Sequence, residues 1–248
     1  MKLIIIIAVV VIALPGGLAL AGLALDRETV KTHSISDQVR EIVVKSDNGD
    51  VDLVRAGTTV LVRETRHYVV NEPALERELS AGVLTLEADC GGFFFDCSTD
   101  LRVTVPAGAK VTVEVDSGDV DADAIDVRDV HAQSDAGDVD LELTGSQALV
   151  WAHTDSGDVD VQTPGARAVD AQTDSGDVNV DARGAARRVI ARTDSGDVDV
   201  TVPAGEYAVD TETDSGDVDI ERAISRNDRA DRSIDARTDS GDVTLNAG

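Results

Sequence analysis

Apolar and polar residues alternate along most of this chain with a period of two, and one short motif interrupts the alternation at regular intervals. Before each interruption, Val150-Ala152-Thr154, Val169-Ala171-Thr173, Val189-Ala191-Thr193 and Val209-Thr211-Thr213 occupy alternate positions. After it come Val159-Val161, Val178-Val180, Val198-Val200 and Val218-Ile220. Period two with β-branched residues predicts strands that bury one face. The motif is Asp-Ser-Gly-Asp-Val, starting at Asp116, Asp155, Asp174, Asp194, Asp214 and Asp239, with an Ala-for-Ser variant at Asp135. A fainter copy, Asp47-Asn48-Gly49-Asp50-Val51, lies upstream. Glycine at its centre suits a tight corner with positive φ, and the preceding Asp can bond its own backbone two residues on.

Each unit therefore reads strand, turn, strand, loop. From Gly118 to Gly241 the successive glycine separations are 19, 20, 19, 20, 20 and 25. A two-strand unit of this length cannot bury its inner face alone, whereas stacked units can. The expected fold is all-β: a β-solenoid of about seven two-strand coils over residues 111–248, roughly 34 Å long at the usual strand spacing. The wider spacing before the last copy holds an insertion, Glu221 to Arg232, that reads as a solvated loop. Val243-Thr244-Leu245 then reads as the final strand, an open edge of the stack.

The outward positions differ between the two faces. The residue after each motif glycine is Asp, and the column two positions on holds Asp121, Asp140, Asp160, Asn179, Asp199, Asp219 and Thr244. Like charges about 5 Å apart repel by roughly 1 kcal/mol even in water. Solvent and hydrogen bonds to turn amides are one way to offset this. Bridging by a hard cation such as Ca²⁺ is another, with Asp155, Asp158, Asp160, Asp174, Asp177, Asp194, Asp197, Asp199, Asp214, Asp217 and Asp219 as candidate ligands. Nothing in the pattern requires a cofactor. The opposite face is mixed: Thr112, His131, Trp151, Asp170, Ile190, Asp210 and Asp235 fall in one predicted column. His131 and Trp151 meet there on adjacent coils, a candidate surface for stacking against sugars.

Upstream, residues 28–110 carry strand-like runs without the tight repeat, at 41–45, 59–63, 82–87 and 101–106, with 72–79 reading as a short helix or loop. This part is expected to begin and cap the solenoid. Residues 1–27 are a segment of a different kind. Lys2 precedes an uncharged stretch from Leu3 to Leu25, long enough to cross a bilayer as a helix. It reads as a transmembrane anchor with Lys2 inside, or as a signal peptide cleaved after Ala19-Leu20-Ala21. Either places the bulk of the chain outside the cytoplasm: at the cell membrane as a single-pass protein, or secreted. The only cysteines, Cys90 and Cys97, flank Gly-Gly-Phe-Phe-Phe-Asp and read as a small disulfide loop in such a compartment. Phe93, Phe94 and Phe95 within it are expected to cap an open core end.

Composition narrows the picture further. Of 248 residues 42% are hydrophobic, but aromatics reach only 2%, matching a thin aliphatic interior. The net charge of −26 disfavours phosphate backbones and makes nucleic acid an unsuitable partner. Asp-Ser-Gly invites comparison with serine-protease nucleophiles. However, it recurs too often, and none of His33, His67, His131 and His153 lies in a motif that marks a base.

The run Leu101-Arg-Val-Thr-Val-Pro-Ala-Gly-Ala-Lys-Val-Thr-Val-Glu-Val-Asp-Ser-Gly-Asp-Val120 resembles the bacterial and archaeal putative adhesin family of β-strand-repeat proteins, a domain of unknown function. Val-Pro-Ala-Gly, then a strand, then Ser-Gly-Asp-Val carries the resemblance, which covers residues 35–248 and the N-terminal hydrophobic segment. It implies a cell-envelope β-solenoid and no catalytic residues. The expected function is that of a non-catalytic, membrane-anchored adhesin or envelope scaffold, with cell-surface polymers or envelope proteins as partners. A β-helical carbohydrate-active enzyme and a calcium-responsive binding module stand as alternatives.

Overall fold

The computed structural model describes residues 27–248 except 37, 56, 58, 70, 91–96, 146, 147 and 185. The hydrophobic segment expected to anchor or be cleaved, and the trio Phe93 to Phe95, therefore lie outside the described residues. Among the described residues no helix is long and apolar enough to cross a membrane. What is described is all strand and turn.

The upstream part contains β1 (Arg27–Ile35), β2 (Glu41–Asn48), β3 (Val51–Arg55), β4 (Val60–Tyr68), β5 (Ala74–Ser80), β6 (Val83–Asp89) and β7 (Cys97–Val105). The repeats begin with β8 (Ala109–Ser117), β9 (Val120–Ile125), β10 (Val127–Ala136), β11 (Val139–Leu143), β12 (Leu149–Ser156) and β13 (Val159–Gln162). They continue with β14 (Ala168–Ser175), β15 (Val178–Asp181), β16 (Arg188–Ser195) and β17 (Val198–Val202). The last are β18 (Gly205–Ser215), β19 (Val218–Ile220), β20 (Ile224–Arg226), β21 (Ser233–Ser240) and β22 (Val243–Ala247).

These strands build two 11-stranded sheets. The first runs β1-β4-β7-β3-β9-β11-β13-β15-β17-β22-β19; the second runs β20-β18-β21-β16-β14-β12-β10-β8-β2-β6-β5. Rungs are joined in parallel, with antiparallel pairs only where β1, β4 and β7, and β5 and β6, close the upstream end. Inward side chains from both sheets form one core. Val159, Val161, Val178, Val180, Val198 and Val200 are buried, as are Ala152, Ala171 and Ala191. Small residues fit because the sheets are joined at a tight corner, which leaves a narrow interior.

The corners decide the register. Gly118, Gly137, Gly157, Gly176, Gly196, Gly241 and Gly216 lie over one another in that order, at φ between +138° and +155°. A Cβ on Gly176 would stand 2.1 Å from the carbonyl oxygen of Gly157, so neither the dihedral nor the space admits another residue. Gly49 sits below Gly118, which makes the fainter upstream copy part of the same stack.

Three expectations need correction. Residues 74–80 are a strand, antiparallel to β6, rather than a helix or loop. Leu75 and Leu79, which pack on the core, are four apart, a spacing that suits one face of either element. The second correction concerns order. β22 lies between β17 and β19, and β21 between β16 and β18, so the last repeat in sequence is inserted between the two that precede it. Val243 and Leu245 are consequently buried rather than at an edge. The insertion is not merely a solvated loop either. It contains β20, which pairs with Gly205 to Tyr207, and Arg232, whose guanidinium lies 4.2 Å from the Tyr207 ring centre.

Two contacts depend on this order. Inserted as it is, β21 brings Asp235 beside Arg192, with which it pairs at 2.5 Å. β22 places Thr244 between Asp199 and Asp219, which would otherwise be direct neighbours.

Candidate functional site

The Asp-Ser-Gly-Asp-Val corners are the most repeated chemistry in the molecule, and their polar groups bond from rung to rung. The amide of Asp177 donates to Oδ1 of Asp158, and that of Asp197 to Oδ1 of Asp177, each at 2.8 Å. The same bond recurs from Asp119 on Asp50 to Asp217 on Asp242. Inside the corner, the buried hydroxyl of Thr173 donates to the carbonyl of Gly157 at 2.9 Å, and Thr193 to that of Gly176. The inward Thr two residues before each of these motif serines is thus the donor that satisfies the glycine carbonyl of the rung below, and Ser134 takes the same part on Gly118.

The proposed cation ligands fall into three columns. Asp155, Asp174, Asp194 and Asp214 are exposed at the start of each corner. Asp158, Asp177 and Asp197 each commit one oxygen to the next rung's amide, whereas the Oδ1 of Asp217, on the terminal rung, has no next rung to meet. Asp160, Asp199 and Asp219 stand on the outer face of the first sheet. There the column reads Arg102, Asp52, Asp121, Asp140, Asp160, Asn179, Asp199, Thr244, Asp219. Arg102 pairs with Asp52 at 3.2 Å, and Asn179 and Thr244 interrupt the carboxylates. Partial burial, reinforced by neighbouring carboxylates, raises Asp121, Asp140 and Asp199 above the ordinary Asp range. Among the described residues no group of three or more His, Cys, Asp or Glu is placed to hold a metal ion.

On the outer face of the second sheet His131 and Trp151 are paired across β10 and β12. Their rings stack at 3.8 Å and 3°, and His153 adds a third ring 5.4 Å from the indole. Burial lowers His131 below its usual range, which favours the neutral imidazole in the stack. One indole face is covered by His131, and Asp170, bonded to Gln172 at 2.5 Å, occupies the next rung. The three rings form a stacked ladder on the outer face of this sheet.

The family model described as Toastrack DUF4097 matches residues 26–246, nearly the whole described chain. The chain belongs to the Toastrack family. Among solved structures, it is similar to one called a putative adhesin from Parabacteroides distasonis, at 16% identity over 88% of this chain and 97% of that one, with a TM-score of 0.48. It is also similar to one called a putative cell adhesion protein from Clostridium sporogenes, at 10% identity over 90% and 100% of the chains, TM-score 0.45. A third, called a putative lipid binding protein, also comes from P. distasonis, at 12% identity over 87% and 96%, TM-score 0.38. No curated protein matches.

This Toastrack chain holds one cluster that the sequence reading passed over. In β4 the inward positions run Val60, Val62, Glu64, Arg66, and the last two are buried among the strands that close the upstream end. Glu64 accepts from Arg66 at 2.8 Å and contacts His33 Nε2 at 2.9 Å, and Arg66 also donates to Glu72 at 2.9 Å. Lys31 completes the chain of charges at 2.6 Å from Glu72, whose carboxyl it holds below the usual range. The available signal was parity: two opposite charges at positions where the alternation demands apolar residues. Nearby, Cys90 and Cys97 form a disulfide with an S–S distance of 2.01 Å. The histidines contact Glu64 (His33), Asp100 (His67), Trp151 (His131 and His153) and Asp155 (His153), and among the described residues none is bonded to a motif serine.

Proposed function

We propose that this protein is a non-catalytic, membrane-anchored, extracytoplasmic repeat protein that acts as an adhesin or envelope scaffold. The observation that carries the reading is the fate of the repeated motif: its amides, carboxylates and threonine hydroxyls bond to the neighbouring rung. A motif used in this way builds a rigid rod whose outer faces are available for contact. In this reading residues 1–27 hold the chain to the cell membrane with its bulk outside, residues 28–110 begin and cap the stack, and residues 111–248 extend it. The polarity of the fold supports that placement. β1 lies at one end of the first sheet and β19 at the other, so ten strand spacings carry the free end roughly 50 Å from residue 27. No cofactor is needed, and the partners are cell-surface polymers or other envelope proteins.

The test displays the full chain on cells and measures adhesion to cells and purified polysaccharides, with and without calcium. Binding that persists in Ser156→Ala and Ser175→Ala variants, without cleavage of the polymer, is the expected outcome. Reducing or unsaturated sugar products would transfer the chain to the carbohydrate-active enzymes, and absence of binding under all conditions would overturn the adhesin reading.

A further inference from the structure

The rung formed by β18 and β19 ends the stack, and it ends it uncovered. Val218 is 41% exposed, whereas Val198 and Val243, at the same position in the two rungs below, are fully buried. Val209 and Ile220 are likewise only partly buried. The backbone is equally incomplete. In lower rungs the glycine amide donates to the serine carbonyl of the next, as Gly241 does to Ser215, and the valine amide donates to the aspartate carbonyl, as Val243 does to Asp217. Among the described residues no partner receives the amides of Gly216 and Val218. The Gly216 carbonyl and the Asp217 Oδ1, the two acceptors each rung offers to its successor, also face outward. β20 covers only Gly205 to Tyr207, and beyond it Arg226 reaches Thr211 Oγ1 at 3.2 Å.

We infer that this end is a docking site for one further rung, supplied by another protein as an extended strand-turn-strand segment with basic outward side chains. The ladder fixes the backbone requirements. The incoming segment must offer two carbonyls to Gly216 and Val218, a hydroxyl to the Gly216 carbonyl, and an amide to Asp217. Side-chain charge selects the partner. The edge is flanked by Asp214, Asp217 and Asp219, so a second copy of this chain would bring the same carboxylates against them, whereas lysines or arginines would pair. Edge-strand addition of this kind draws affinity from main-chain bonds and selectivity from the side chains beside them. Occupancy would displace Arg226 from Thr211 and bury Val218. The inference depends on the end of the stack and not on adhesion or anchoring.

The experiment uses the full chain in detergent and two synthetic peptides. One copies residues 188–202, and the other is the same peptide carrying Asp194→Lys, Asp199→Lys and Thr201→Lys. The basic peptide is expected to bind at least tenfold more tightly than the parent at low salt. Val218→Pro removes an amide that has no partner among the described residues, so it should abolish binding while leaving the melting temperature unchanged. Asp219→Lys should weaken the basic peptide at least threefold, which keeps the test decisive should the proline variant fold poorly. Equal affinities for the two peptides, or unchanged binding in Asp219→Lys, would overturn the proposal. Dimerisation of the chain in high salt, lost in Val218→Pro, would replace the basic partner with a second copy.

Discussion

A single atom distinguishes the corner glycines from any other residue. At Gly176 the positive φ disfavours a side chain, and the Gly157 carbonyl fills the place of the Cβ. Gly176→Ala is therefore expected to lower unfolding free energy by about 3 kcal/mol or more, combining dihedral strain with steric displacement. Urea denaturation would measure it, and a cost below about 1 kcal/mol would contradict the stacked corner. Thr173→Val tests the bond beneath: it leaves the Gly157 carbonyl without its donor and should cost about 1–3 kcal/mol. The glycine corners were legible because repetition exposes them. Glu64 and Arg66 offered only their parity with Val60 and Val62, a single instance without a repeat to set it off, and it took the fold to show that this face closes the core. Glu64→Gln removes the charge that Arg66 and His33 face in a buried setting and is expected to cost about 3–5 kcal/mol.

At the level of strands, alternation in the sequence located most of the elements, and the glycine spacing located the corners. The order of the last three rungs was not readable, for a physical reason. Repeats so alike present the same carbonyls, amides and methyl groups, so any rung can stack on any other, and the chain order looks like the natural guess. Only the longer linker, residues 221–232, allows the final repeat to return and enter beneath its predecessor. Hydrogen exchange separates the two orders. In the observed one, amides of β21 and β22 are held between neighbours on both sides, while those of β18 and β19 lie at the end of the stack. The C-terminal segment 233–247 should therefore exchange more slowly than 208–220, although it lies closer to the chain terminus. The opposite ranking would return the last repeat to the end.

For the molecule as a whole, the carboxylate column sets the response to pH and salt. Asp121, Asp140 and Asp199 have folded values raised above the ordinary 3.8 by burial and then by the charge of neighbouring carboxylates, Asp52 and Asp140 for Asp121, Asp160 and Glu142 for Asp140, Asp197 and Asp177 for Asp199. A group raised in this way disfavours the folded state while ionised. The deficit is complete above its folded pKa and is relieved as pH falls through that value towards 3.8. Glu72 acts in the opposite sense. Its value is lowered from 4.5, chiefly by its hydrogen bond to Lys31, so its contribution is present above 4.5 and lost as pH falls through the folded value. Thermal stability should therefore rise as pH falls from 7 through the folded values of the three aspartates and decline under stronger acid, as the Glu72 contribution is lost. Added monovalent salt at pH 7 should reproduce part of the gain by screening. Asp140→Asn is the sharpest version, because Asp140 lies between Asp121 and Asp160 in the longest run of the column. Removing its charge relieves two neighbouring repulsions of about 1 kcal/mol each before screening, which corresponds to a melting temperature higher by about 4–8 °C at most, at low salt. The gain should shrink in high salt and shrink again as pH falls through the folded value of Asp140, where the native carboxylate takes up its proton. A gain independent of pH would mean that the substitution acts through packing, and that the wall's charges are already offset where they stand.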